Sequence, residues 1–94
     1  MYTIRRLKDF EVSIQRLKYS GIKSSVKKKI EQIIDLLASG KSLPIARKDH
    51  KLNGEFSDFR ECHIKGDLLL IYKIEKDKLI LVLVDIGSHS QLFN

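Results

Sequence analysis

Apolar residues change their spacing once along this chain, and that change leaves few folds open to it. From about Asp9 to Ser20, Phe10, Ile14 and Leu17 recur at intervals of four and three. From about Ser24 to Ser39, Val26, Ile30, Ile33, Ile34 and Leu37 do the same. These are the stripes of two amphipathic helices. Gly21 and Gly40 follow them, where glycine commonly ends a helix. Beyond Gly54 the spacing falls to two. Phe59–Ile64, Leu68–Ile74 and Leu79–Ile86 read as strands, joined by Lys65-Gly66 and by Glu75-Lys76-Asp77-Lys78. Both connections are short enough for hairpins, so the three strands form an antiparallel meander. Tyr2–Leu7 suits another short strand, Leu43–Asn53 reads as loop, and Gly87–Asn94 leaves the last strand. The expected fold is α+β in the order β-α-α-β-β-β, with an αα-hairpin on one face of a mainly antiparallel sheet. With 94 residues, no repeat and no long linker, a single domain over 1–94 is expected.

Charge divides along the same line. Residues 1–51 hold thirteen basic and five acidic side chains, whereas 52–94 hold five basic and seven acidic. A strongly basic half suits a polyanion or an acidic protein partner, and it is equally the mark of a lysine-rich solvated surface. The run Lys27-Lys28-Lys29 lies on the outer sides of the second helix, where either reading holds. The lone cysteine, Cys62, can form no internal disulfide, which fits a reducing cytosol. The first residues lack the apolar stretch of a signal peptide, and Leu68–Tyr72 and Leu79–Val84 are too short to cross a bilayer. A cytoplasmic protein without a membrane partner is the expectation.

The chemistry-bearing side chains gather in the second half. His50 follows Asp49, His63 stands two residues after Glu61, and His89 stands four after Asp85. On a strand Glu61 and His63 share a face, with Cys62, Ile64 and the stem of Arg60 on the other. Asp67 opens the next strand just across the turn from His63. Tyr72, in mid-strand, suits a core or sheet role. Histidine moves protons near neutral pH, and a neighbouring carboxylate favours its charged form and fixes its tautomer. Two such groups on opposite sides of a phosphodiester could serve as base and acid. RNA carries its own nucleophile, the 2′-hydroxyl, so such a site needs only positive charge besides. Separate surface histidines are the plainer alternative. Zinc ligation is a third, although the spacings of thirteen and twenty-six residues match no compact ligand motif.

Three stretches carry a resemblance. Lys48-Asp49-His50-Lys51-Leu52-Asn53-Gly54 resembles the "DHxLxG" segment of YafQ-type toxins of the RelE superfamily. The run from Arg60-Glu61-Cys62-His63-Ile64 through Asp67 to Ile71-Tyr72-Lys73 is similar to their "RECHIxxDxLLIY" signature. Gly87-Ser88-His89-Ser90-Gln91-Leu92-Phe93 is similar to their "GSHSxLF" ending. The resemblance implies the toxin of a type II toxin–antitoxin pair, a metal-independent endoribonuclease that cleaves mRNA in the ribosomal A site and needs no cofactor. It places the catalytic positions on His50, His63, Asp67 and His89. Glu61 is the acid preceding His63, and Phe93 the terminal aromatic. It further implies an acidic antitoxin of the DinJ or RelB type, with the complex binding operator DNA.

Many relatives carry arginine where this chain has Asp85. If the strand stays extended, Asp85, Gly87 and His89 share a face, and an aspartate there repels phosphate. It could instead pair with His89, with Arg60 or with a lysine. Phosphate stabilisation then falls to Arg60, Lys48, Lys51 and Lys65. Asp85 also keeps open a degenerate toxin that binds its antitoxin without activity. A non-catalytic binder resembling the gyrase-inhibiting ParE branch is the other alternative, and it has no need of three histidines.

Overall fold

The computed structural model describes residues 1–93; Asn94, included in the expected domain and in its terminal segment, lies outside them. The chain runs β1 (Thr3–Arg6), α1 (Lys8–Tyr19), α2 (Ser24–Ala38), β2 (His50–Lys51), β3 (Arg60–Lys65), β4 (Leu68–Glu75), β5 (Ile80–Ser88) and α3 (His89–Phe93). The expected α+β fold with its helical hairpin is present. Further short elements are present. The segment expected as loop contains a 3-10 turn at Ile45–Arg47 and the two-residue strand β2, and the tail contains α3.

Each helix forms for reasons visible in its residues. In α1, Phe10 and Ile14 are buried four residues apart, acids Asp9 and Glu11 open the helix, and Arg16 and Lys18 close it, each complementing the helix dipole. In α2, Ile30, Ile33, Ile34, Leu37 and Ala38 are buried. It ends in a Schellman motif: Gly40 N–H donates to the Leu37 carbonyl and Lys41 N–H to that of Leu36, both at 3.0 Å. Gly40 adopts φ +75°, a left-handed conformation costly for any residue with a Cβ.

The five strands lie in the order β1-β5-β4-β3-β2, with β1 parallel to β5 and every other pair antiparallel. The helix-side face contributes Cys62, Ile64, Leu70, Tyr72, Leu81, Leu83 and Ile86 to one core with α1 and α2. Each large apolar side chain there is worth about 1.5–3 kcal/mol of burial. Two bulges interrupt the ladders. On β3 the pairing passes from His63 to Lys65 and skips Ile64; on β5 it passes from Leu83 to Asp85 and skips Val84.

Cys62 is fully buried beneath the helices, and burial pushes its thiol up to about 12 from an ordinary value of 9.0. Because the folded value is raised, the stability linked to this group is complete below pH 9 and is lost as pH rises toward 12. Urea midpoints should therefore decline across that alkaline window, and iodoacetamide at pH 8 should label Cys62 only as fast as the protein unfolds.

Candidate active site

The side chains gather on the face of the sheet away from α1 and α2. Glu61 and His63 alternate with the core residues Cys62 and Ile64, so both point to this face. Register then brings the third partner. β2 pairs His50 opposite Glu61, and side chains opposite one another on antiparallel strands are neighbours on one face. The result is a buried carboxylate between two imidazoles: Glu61 Oε1 lies 3.7 Å from His50 Nε2 and 3.6 Å from His63 Nε2. The Glu61 side chain is 8% exposed, against 51% for His50 and 31% for His63. A carboxylate shielded from water interacts strongly with whichever imidazole is protonated, while both rings stay open to a ligand.

The tautomer of His50 follows from its other contact. Nδ1 sits 2.7 Å from the Lys48 carbonyl, which can only accept, so Nδ1 carries the hydrogen. In the neutral ring Nε2 is then the free base, on the side of Glu61. Lys48 makes this geometry by turning to φ 48°, a left-handed conformation that costs a residue of its kind about 1–2 kcal/mol.

The second group arrives on α3. The row His63, Leu69, Gly87 runs across β3, β4 and β5, and α3 folds back over its Gly87 end. A reciprocal capping box starts that helix. The Ser88 N–H donates to Gln91 Oε1 at 2.8 Å, and the Gln91 N–H to Ser88 Oγ at 3.2 Å. His89 N–H donates to Asp67 Oδ1 at 3.4 Å, and the His89 ring lies 5.0 Å from that of Phe93. Phe93 in turn meets Phe56 edge-to-face at 5.9 Å, fastening the end of α3 to the loop before β3.

Gly87 leaves room for this cap. An added Cβ would lie 2.8 Å from Gln91 Oε1, the acceptor of the capping bond. Gly87→Ala should thus sever the box at a cost of about 1 kcal/mol to α3, leaving global melting nearly unchanged. Amide exchange at Gln91 should speed up roughly fivefold, the equivalent of that energy.

Several expected placements change. Asp67 sits in the turn before β4 and bonds the His89 backbone, rather than opening a strand beside the His63 ring. His89 does not share a strand face with Asp85 and Gly87, because it belongs to a helix; Asp85 and Gly87 pair in regular register with Ile71 and Leu69, two apart on β4. Asp85 bonds neither His89, Arg60 nor a lysine; it accepts from Ser13 Oγ of α1 at 2.6 Å and from the Ile86 N–H at 2.8 Å. The groove it lines, of about 370 Å³ between α1 and α3, also takes in Lys8 and Arg16. Arg60 lies across from Tyr72, and its Nε donates to Asp49 Oδ1 at 3.2 Å. Burial alone would lower its pKa, but the bonds from Arg60 to Tyr72 and Asp49 more than offset this and raise it. Lys48, Lys51 and Lys65 are exposed, and among the described residues none forms an ion pair. Among the described residues, no group of three or more His, Cys, Asp or Glu side chains is arranged to hold a metal ion, and no helix is long and apolar enough to cross a membrane. Two features lie outside the apolar spacing: the capping signature Ser88-x-x-Gln91, which is legible in the chain, and the link from Asp49 to Tyr72, which no spacing announces.

This fold is shared with a metal-bound toxin from Helicobacter pylori, 42% identical with a TM-score of 0.89 over 99% of this chain and 100% of that one. It is shared as well with YafQ in the Escherichia coli DinJ–YafQ complex, 24% identical over the whole of both chains with a TM-score of 0.87. The fold is that of a class of small α+β toxins. Two curated relatives narrow it. YafQ of Haemophilus influenzae is 43% identical over 54 residues, 53% of each chain, so the match spans about half of that relative's length. The mRNA interferase toxin YafQ of Escherichia coli K12 is 38% identical over 66 residues, 69% of this chain and 70% of that one. The family model for YafQ, the bacterial toxin of type II toxin–antitoxin systems, matches residues 2–94, and the chain belongs to that family.

Proposed function

We propose that the protein is an endoribonuclease that cleaves mRNA in the A site of the ribosome without a metal, and so arrests translation. The single observation that carries this reading is the Glu61 carboxylate buried between His50 Nε2 and His63 Nε2, with exposed lysines nearby. In the reaction the 2′-oxygen attacks the adjacent phosphorus as a base removes its proton. The bond to the 5′-oxygen breaks as an acid protonates that leaving group. A cyclic phosphate and a 5′-hydroxyl end result. His50 or His63 is the base, His89 the leaving-group acid, and Glu61 and Asp67 orient them. Lys48, Lys51 and Lys65 offset phosphate charge, and Phe93 stacks on a base. The basic helices contact ribosomal RNA, so binding weakens as salt rises. A relative's solved complex with DinJ supports an acidic antitoxin of that type, whose complex with the toxin binds operator DNA. The setting is the cytoplasm.

The test is cleavage of a defined mRNA on programmed ribosomes by the wild type and by His50→Ala, His63→Ala, Asp67→Ala and His89→Ala. Wild-type rates in all four variants would overturn the assignment. A loss of wild-type cleavage in EDTA, restored by zinc or copper, would replace it with a metal-dependent reaction.

A further inference from the structure

Tyr72 lies in the middle of β4 and is 1% exposed, a place where phenylalanine would fill the same space. Its hydroxyl must be satisfied, since burying one without a partner costs several times what a formed bond returns. The partner comes from the loop that carries His50. Tyr72 O–H donates to Asp49 Oδ1 at 2.5 Å, and Arg60 Nε donates both to that oxygen at 3.2 Å and to the Tyr72 oxygen at 3.3 Å. Burial, first, and the bond to Asp49 raise the phenol above its ordinary range, so it stays a donor at neutral pH.

The same loop is fastened a second time. The bulge on β3 leaves Ile64 out of the ladder to β4, and Arg47 Nη1 donates to the Ile64 carbonyl and, at 3.4 Å, to that of His63. Between these two anchors stands Lys48, whose left-handed turn delivers its carbonyl to His50 Nδ1. A short loop holding a strained residue keeps its shape only where its flanks are fixed.

We propose that Tyr72, acting through Asp49, is a positioning residue for His50. The phenol pins Asp49 to the sheet, which keeps the Lys48 carbonyl on Nδ1 and leaves Nε2 free on the side of Glu61. Tyr72 touches no substrate and works from the opposite side of the sheet. The inference rests on the reading of His50 as part of the active site, but its first readout does not.

Nitrogen-15 imidazole spectra of the isolated toxin test it directly. In the wild type at pH 8 His50 should show a single Nδ1–H tautomer. Tyr72→Phe should give averaged nitrogen shifts at His50 while those of His89 stay in place. Asp49→Ala, a change in a partly exposed loop, should give the same pattern and serves if Tyr72→Phe does not fold. On ribosomes both variants should lose about 10- to 100-fold in kcat, with little change in KM, as expected when a reacting group is misplaced by a fraction of an ångström. A wild-type tautomer at His50 in both variants would overturn the proposal, whatever happens to cleavage. A shifted tautomer with wild-type cleavage would overturn its catalytic part. If the wild type itself cleaves no mRNA while the tautomers shift as described, the ribonuclease reading fails and the positioning role stands.

Discussion

His89→Ala is expected to lower single-turnover mRNA cleavage on the ribosome by about 10²–10⁴-fold, the usual contribution of a positioned proton-transfer group. Two features make this loss larger than its effect on the fold. His89 is exposed, and the contact that anchors it to Asp67 runs through its backbone N–H, which alanine keeps. The capping box of Ser88 and Gln91 does not involve its side chain either. The variant should therefore melt with the wild type. A substrate whose 5′-oxygen is replaced by sulfur supplies the sharper check. Thiolate leaves without help from an acid, so such a substrate should recover most of the lost rate in His89→Ala. If it recovers none, His89 does not serve as the acid.

Glu61→Gln should have the next largest effect, a fall on the order of 10²-fold, because one carboxylate serves two imidazoles. Glutamine keeps the shape and removes the negative charge that lies beside His50 and His63. Stability should change little or rise slightly. A shielded charge costs desolvation, and a neutral group of equal size avoids it. Coupling distinguishes this from a general disturbance. If Glu61 acts through His50, adding Glu61→Gln to His50→Ala should cost less than adding it to the wild type, by about 0.5–3 kcal/mol. Strict additivity of the two changes would argue that Glu61 has no working relation with His50.

Part of this site was legible in the chain. Period-two alternation put Glu61 and His63 on one face and Cys62 on the other, because a strand leaves its side chains no other choice. The same rule failed at His89. It holds only while the strand continues, and a helix start at His89 ended it. The capping signature of Ser88 and Gln91 marked that helix start. The link from Asp49 to Tyr72, by contrast, spans twenty-three positions and depends on how a loop lies against the sheet.

The spacing of apolar residues alone determined two helices, three long strands, their hairpins and the buried face, since local geometry and the need to hide apolar surface act residue by residue. Tertiary structure decided the rest. It chose which carboxylate meets which histidine: Glu61 with both His50 and His63, Asp67 with the backbone of His89, and Asp85 with Ser13. Those pairings turn on a two-residue strand, two bulges and one turn of helix, each a matter of register between segments far apart in the chain. Spacing within a segment carries no information about that register.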